Sequence, residues 1–344
     1  MNQDSISEGV TDKHTVCIVS PFPTLPQLIR KRLPDVNVID FPSPKGYFLG
    51  QLDFSNLIDD INRCEADIIV MFPFHYVRFI ERGLRVNIKW FHSMIAGTEG
   101  LFKAFPKQPE NVIFTRMGEG HTDLMAEYVL GQIISREQYF PEMLEYQKQK
   151  KWDRMKFLQK RSLANLTIGL LGTGAIGSKV ASVCKAFGMT VWGLSRTKKA
   201  SPIPNFDNLM EKSELSKFLS GCDYVCSVLP STPETNGMLS GNVLQACQRK
   251  RATFINIGRG GVVDELSLLN ALDNNWIGGA ILDATEKEPL PPDSKLWSHP
   301  DVILTPHISG PCIPEAVAEV FVSNYHKFVN GDTLDHQLDW ERGY

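Results

Sequence analysis

The stretch TIGLLGTGAIGSKVASVCKAFGMTVWGL, residues 167–194, constrains this chain more than any other. An apolar strand-like run, glycines at 172, 174 and 177, a helix-patterned segment and a second strand-like run follow without a break. In that order the G-x-G-x-x-G spacing has a physical task. Gly172 permits a tight turn, Gly174 lets a pyrophosphate approach the backbone, and Gly177 lets helix and strand pack closely. The phosphates then meet free N–H groups and the positive end of the helix dipole. The bare motif is weak, and a glycine-rich turn without a ligand is the competing reading. The preceding strand, and a helix with Ile176, Val180, Val183, Cys184 and Phe187 on one face, supply the context a dinucleotide site needs. No Lys-Ser or Lys-Thr pair of the phosphate-loop type is present, which disfavours a nucleotide triphosphatase.

About twenty residues further on, where a carboxylate usually receives the adenosine ribose 2′-hydroxyl, stands VWGLSRTKK. Ser195 ends the strand in place of an acid, and Arg196 and Lys198 follow. An acid there would repel the 2′-phosphate of NADP, whereas these three side chains can hydrogen-bond and neutralise it. The expected cofactor is NADP, with NADPH preferred and NAD still possible. The bland alternative is a solvated basic turn made of Arg196, Lys198 and Lys199.

Two alternations of strand and helix patterns run along the 344 residues, which suits two α/β domains. In the first, TVCIV, VNVIDF, ADIIVMF, NIKWFHSMI and NVIFTRM read as strands, with LPQLIRKRL and FSNLIDDINRC as helices. Residues 118–152 read as one long connecting helix interrupted only at Pro141. The second alternation begins at Thr167 with TIGLLG, TVWGL, DYVCSVL, TFINIG, GAILD and DVILTP as strands. Helical segments are expected at 175–187, 213–220, 240–248 and 264–273, and a last helix stops at Gly331. Continuous apolar runs of this kind suit parallel strands buried on both faces.

A net charge of -3, from 36 basic and 39 acidic side chains, gives no field to attract nucleic acid or anionic lipid. No run of eighteen apolar residues predicts a membrane span. The polar start MNQDSISEGVTDKH fits neither a secretory signal nor a transit peptide. The 7 cysteines are scattered without a zinc spacing, and several lie in apolar runs as small buried hydrophobes. No metal is expected, and a reducing, cytoplasmic compartment is.

In an open parallel sheet, ligands bind outside the carboxyl ends of the strands. After TFINIG comes Arg259; after GAILD come Glu286 and Glu288; after DVILTP comes His307. Three successive strands thus deliver a cation, a carboxylate and an imidazole to the edge that holds the glycine turn. Arginine can grip a carboxylate or polarise a carbonyl. Histidine can hand a proton to a carbonyl oxygen, and a carboxylate on its other nitrogen fixes the tautomer and raises its pKa. Singly, Arg259 could bridge phosphate or a neighbouring acid, each glutamate reads as a loop charge, and the histidine reads as structural. Spacing does not decide between Glu286 and Glu288.

These residues resemble the D-2-hydroxyacid dehydrogenase family, and within it the glyoxylate/hydroxypyruvate reductases. The likeness spans roughly residues 88–330 and rests on AEYVLG, TIGLLGTGAIGSKVA, CDYVCSVLPSTPETNGML, TFINIGRGGVVDE and GAILDATEKEPLPPDSKLWSHPDVILTPHISG. It implies Arg259 as the substrate-binding arginine, Glu288 rather than Glu286 as the partner of the histidine, and His307 as general acid/base. It further implies cofactor contacts from Thr173, Ala175 and Ile176 beside the three glycines. Leu229, Pro230, Ile257, Gly258, Arg259, Asp283, His307 and Gly310 complete that implied set.

SMIAGTEGL at 93–101 resembles the family's substrate loop, whose Ala-Gly backbone N–H groups, here Ala96 and Gly97, bind the substrate carboxylate. Ile95 stands where the family has glycine, which narrows the pocket toward small substrates. Thr98-Glu99 and DAT at 283–285 also depart from the usual pattern. The implied fold is a Rossmann-type doubly wound domain, residues 118–309, inserted into a flavodoxin-like substrate domain, 1–117 plus 310–344. The implied activity is NADPH-dependent reduction of a small 2-keto acid by a homodimer, with 138–152 as the arm that covers the partner. Tyr47, Phe48, Phe74 and His75 are the first-domain side chains that could reach the substrate, although such an aromatic stripe is more often core. The resemblance also admits a nucleotide-sensing, corepressor-like protein with little turnover, since those members keep the same three residues.

Overall fold

The computed structural model describes residues 14–42, 55–84, 87–118, 120, 122–196, 201–341 and 343. The chain divides into two compact units, Met1–Gly120 with Cys312–Tyr344, and His121–Pro311.

In the first unit, β1 (Thr15–Ser20), α1 (Thr24–Arg32), β2 (Asn37–Pro42), α2 (Ser55–Arg63) and β3 (Ile68–Met71) are followed by α3 (Pro73–Glu81), β4 (Trp90–Ser93), α4 (Glu99–Ala104) and β5 (Ile113–Thr115). Its strands are parallel in the order β2-β1-β3-β4-β5, the flavodoxin-like order. β3 and β4 are buried along their whole length, as expected where helices cover both faces of a sheet. α3 has no counterpart in the sequence reading. It starts at a proline, which tolerates the first turn because no N–H is needed there.

The second unit comprises α5 (Thr122–Glu137), α6 (Phe140–Lys148), β6 (Thr167–Leu171), α7 (Ala175–Ala186), β7 (Thr190–Ser195) and β8 (Asn208–Glu211). It continues through α8 (Leu215–Gly221), β9 (Tyr224–Ser227), β10 (Thr253–Asn256), α9 (Glu265–Asp273), β11 (Gly279–Leu282) and β12 (Val302–Leu304). The parallel sheet has the order β12-β11-β10-β9-β6-β7-β8. The winding reverses between β6 and β9, so the crevice outside their carboxyl ends is the natural ligand position. α10 (Pro314–Asn330) returns the chain to the first unit, where Phe321 stacks on Trp90 at 5.0 Å. Gly331, at φ 73°, ends it in the left-handed conformation that glycine adopts without strain.

Three differences from the sequence reading are instructive. The helix expected over 118–152 is two helices: Tyr139 takes φ 59° and breaks the run, and Pro141 sits in the first turn of α6. The segment 240–248 forms only the short 3-10 turn Val243–Cys247, after Gly237 and Gly241 at φ 69° and 67°. β8, of sequence NLME, was not anticipated. Only Met210 of its four residues is buried, so this edge strand lacks the apolar run that marks the others. Among the described residues, no helix is long and apolar enough to cross a membrane.

Candidate active site

The glycine turn joins β6 to α7 at the carboxyl edge of the second sheet. Gly172 has φ 108°, open to glycine and strained for any other residue. A Cβ on Gly177 would lie 2.1 Å from the Gly172 carbonyl oxygen, so the helix can begin this close to the turn only without a side chain. Gly174 is the opposite case: a Cβ there would meet nothing within 4 Å. Gly174 and Ala175 are exposed, Thr173 and Ile176 half-buried, and no side chain caps the N-terminus of α7. Open space above a backbone N-terminus is the cradle a pyrophosphate requires, so these residues fit a dinucleotide.

The loops after the neighbouring strands border that turn. A Cβ on Gly258 would lie 2.7 Å from the Leu229 carbonyl oxygen, which presses the Ile257-Gly258 pair against the Leu229-Pro230 loop. At the far side Ser195 ends β7 half-buried, and Arg196 is exposed beside it. Lys198 and Lys199 lie outside the described residues.

β10, β11 and β12 are adjacent, and the loops that follow them carry Arg259, Glu288 and His307. His307 Nδ1 lies 2.8 Å from Glu288 Oε2, and the Thr285 N–H donates to Glu288 Oε1 at 3.0 Å. The two side chains remain 46% and 38% exposed, respectively. The hydrogen bond to Glu288 and that carboxylate's charge raise the His307 pKa above its ordinary value, against burial and the Arg259 charge. Burial pushes the Glu288 carboxyl up, but the hydrogen bond and charge of His307, the Thr285 N–H and Arg259 together hold it below the ordinary carboxylate value. With Nδ1 committed to the carboxylate, Nε2 is the ring nitrogen left for chemistry. Arg259 is half-buried, and its Nη1 donates to the Gly258 carbonyl at 3.0 Å. Glu286 goes elsewhere: its Oε2 accepts the Glu265 N–H at the start of α9, at 2.9 Å. The structure therefore separates the two glutamates that spacing could not.

His307 has φ 55°, a conformation that costs a non-glycine residue about 1–3 kcal/mol. Asp283 holds it there. The Asp283 carbonyl accepts the His307 N–H at 3.0 Å, and the buried carboxylate accepts from Thr305 Oγ1, Ile308 N–H and Ser309 N–H at 2.6, 2.8 and 2.8 Å. Asp283, expected beside the cofactor, thus has both carboxylate oxygens on the histidine loop. Gly310 follows it, half-buried. The Tyr128 hydroxyl on α5 meets Thr305 Oγ1 at 2.7 Å and extends this support. Neither Tyr128 nor Thr305 was legible as a site residue, because each acts through a neighbour far away in sequence.

In the first unit, the Ser93 hydroxyl donates to the Ile95 carbonyl at 2.7 Å and accepts the Ile95 N–H, which shapes the loop leading to Ala96 and Gly97. Both of those residues are half-buried. Phe74 is 42% exposed and stacks on Phe72, whereas His75 is buried. Tyr47 and Phe48 lie outside the described residues. Among the described residues, no group of three His, Cys, Asp or Glu side chains is placed to hold a metal ion.

Comparison with known proteins agrees with this fold. The family model for D-isomer specific 2-hydroxyacid dehydrogenase, NAD binding domain, matches residues 130–309. A crystal structure of a D-isomer specific 2-hydroxyacid dehydrogenase family protein from Aeromonas salmonicida subsp. salmonicida is 30% identical, with 95% of this chain and 99% of that one covered, and a TM-score of 0.84. A D-isomer specific 2-hydroxyacid dehydrogenase from Xanthobacter autotrophicus, in complex with NADPH and MES, is 27% identical over 96% of this chain and 100% of its own, with a TM-score of 0.78. An NADPH-dependent glyoxylate/hydroxypyruvate reductase from Sinorhizobium meliloti, in complex with NADP and sulfate, is 27% identical over the same shares, 96% and 100%, with a TM-score of 0.76. With the family model matching half of the chain and a 30% identical relative covering 95% of it, the chain belongs to the D-isomer specific 2-hydroxyacid dehydrogenase family and is an NAD(P)-dependent enzyme.

Proposed function

We propose that the protein reduces a small 2-keto acid, of the glyoxylate or hydroxypyruvate kind, to the D-2-hydroxy acid, with NADPH preferred over NADH. The observation that carries this reading is the Glu288–His307 pair at 2.8 Å, with Arg259 near enough to bias both, on the edge that holds the open glycine turn. Bound nicotinamide supplies the hydride. Arg259 grips the substrate carboxylate and polarises its carbonyl, and Ala96 and Gly97 are assigned to substrate binding through their backbone N–H groups. Protonated His307 gives its Nε2 proton to the carbonyl oxygen as negative charge develops there, and Glu288 stabilises the imidazolium beforehand. Ile95 in place of glycine keeps the substrate small. In this reading residues 118–309 bind the dinucleotide and 1–117 with 310–344 bind the substrate. Purified protein incubated with NADPH and a panel of 2-keto acids should consume the nicotinamide absorbance; no turnover with any of them would overturn the assignment.

Cofactor choice rests on Ser195, Arg196 and Lys198, and on the absence of an acid at the end of β7. A hydrogen bond to a charged group contributes about 1.5–3 kcal/mol, so Arg196→Ala should raise the Kd for NADPH about 10- to 100-fold. The Kd for NADH should stay within about twofold, since NADH has no 2′-phosphate. Calorimetric titration of both reads the difference, and equal weakening would remove the basis for NADPH preference.

A homodimer is the proposed assembly. Trp152 is 97% exposed, and Met143, Tyr146, Phe157 and Leu158 line a cleft of about 720 Å³ beside it. An apolar patch of this kind on a monomer marks an interaction surface, and a second copy is the occupant proposed here. Sedimentation at micromolar concentration should show a dimer that Trp152→Asp converts to monomer; a monomeric wild-type protein would refute this assembly. All seven cysteines are free thiols, which supports placement in the reducing cytoplasm.

A further inference from the structure

Asn256, the last residue of β10, is buried to 1% exposure and has each of its side-chain polar groups engaged. Its Nδ2 donates to the Arg259 carbonyl and to the Ala284 carbonyl, both at 3.1 Å, and its Oδ1 accepts the Gly258 N–H at 3.2 Å. Its own backbone carbonyl accepts the Asp283 and Ala284 N–H groups at 2.9 and 3.2 Å. One carboxamide therefore clasps two loops: the one carrying Arg259, and the one running from Ala284 to Glu288. The loops interlock where they meet. A Cβ on Gly260 would lie 1.9 Å from the Thr285 carbonyl oxygen, and on the other flank Gly258 is pressed against Leu229.

We propose that Asn256 is a positioning residue for the reaction: its carboxamide sets the separation of these loops, and with it the placement of the Arg259 guanidinium against the Glu288–His307 pair. The proposal rests on the roles given above to Arg259 and His307. Asparagine is the side chain of this size that can donate to two carbonyls and accept one N–H at once. Ionised aspartate would turn only acceptors toward the Arg259 and Ala284 carbonyls, and leucine would take the carboxamide donor from both, leaving the Arg259 carbonyl only the long 3.4 Å bond from the Val262 N–H.

A misplacement of about 1 Å can cost about 10²-fold in rate, so Asn256→Asp and Asn256→Leu should lower kcat/KM for the keto acid by about that factor. NADPH binding, read by fluorescence, should stay near the wild-type value. In the protein without ligand, the NMR titration of the His307 imidazole should move down toward that of an ordinary histidine, because Glu288 is no longer held against it. Variants that fold with wild-type kinetics and an unmoved His307 titration would overturn the proposal. If neither variant folds, wild-type protein still decides: the Asn256 carboxamide protons should exchange slowly with solvent, and free exchange would overturn the clasp. The NMR measurements need no substrate, so a protein that turned over no keto acid would sink the proposed function while leaving this test in force.

Discussion

His307→Gln is expected to lower kcat for keto-acid reduction about 10²- to 10⁴-fold, the range general acid catalysis contributes, with NADPH affinity unchanged. Glutamine is close to histidine in size and can still hydrogen-bond Glu288, but it has no proton to surrender near neutral pH. The direction of the histidine's pKa shift makes the reading sharper. Because Glu288 raises that pKa, His307 keeps its proton to higher pH than an ordinary histidine. Reduction consumes the proton, so its rate should hold at low pH and fall as pH rises through the raised value. Glu288→Gln removes the hydrogen-bonded charge and should move that basic limb to lower pH. Steady-state pH profiles with a saturating dinucleotide measure both effects. A His307→Gln variant within tenfold of wild type, or a basic limb that Glu288→Gln leaves in place, would remove His307 from the role of acid.

Arg259→Ala should lower kcat/KM for the keto acid about 10²- to 10⁴-fold, since two hydrogen bonds to charged oxygen contribute about 1.5–3 kcal/mol each and every 1.4 kcal/mol is a factor of ten. Arg259→Lys restores the charge without the planar fork and should recover only part of the loss. A second signature separates Arg259 from a group that merely binds substrate. Its positive charge lowers the His307 pKa, so its removal should carry the basic limb to higher pH, opposite to Glu288→Gln. Parallel shifts in the two variants, or an unchanged KM and kcat in Arg259→Ala, would mean that the guanidinium faces neither substrate nor imidazole.

Much of the candidate site was readable because it is written at strand ends. A buried parallel strand shows itself as a short apolar run, and the residue just past that run must stand at the carboxyl edge of the sheet. That logic brings Gly172, Arg259, the pair Glu286 and Glu288, and His307 to one edge, and β6, β10, β11 and β12 do run parallel in one sheet. What it missed acts through other residues. Asn256 looks like the end of a strand, Thr305 like a residue before a proline, and Tyr128 like one more position on a helix face. Each makes a hydrogen bond to a residue 22 to 177 positions away, which no local pattern encodes.

The division follows from physical range. Periodicity, glycine spacing and turn chemistry act over a few residues, so the sequence by itself determined the two α/β alternations, the phosphate cradle and the lack of an acid at Ser195. Contacts between strand ends are set only when the sheet orders its strands, so what spacing left open, including the choice of Glu288 that only the family resemblance had implied, was decided in the tertiary structure. It assigned Glu286 to capping α9 and Glu288 to His307, turned the Asp283 carboxylate onto the histidine loop, and split the long helix at Tyr139. Glu286 and Glu288 are chemically identical and two residues apart; only the positions of Glu265 and His307, brought in from distant parts of the chain, distinguish them.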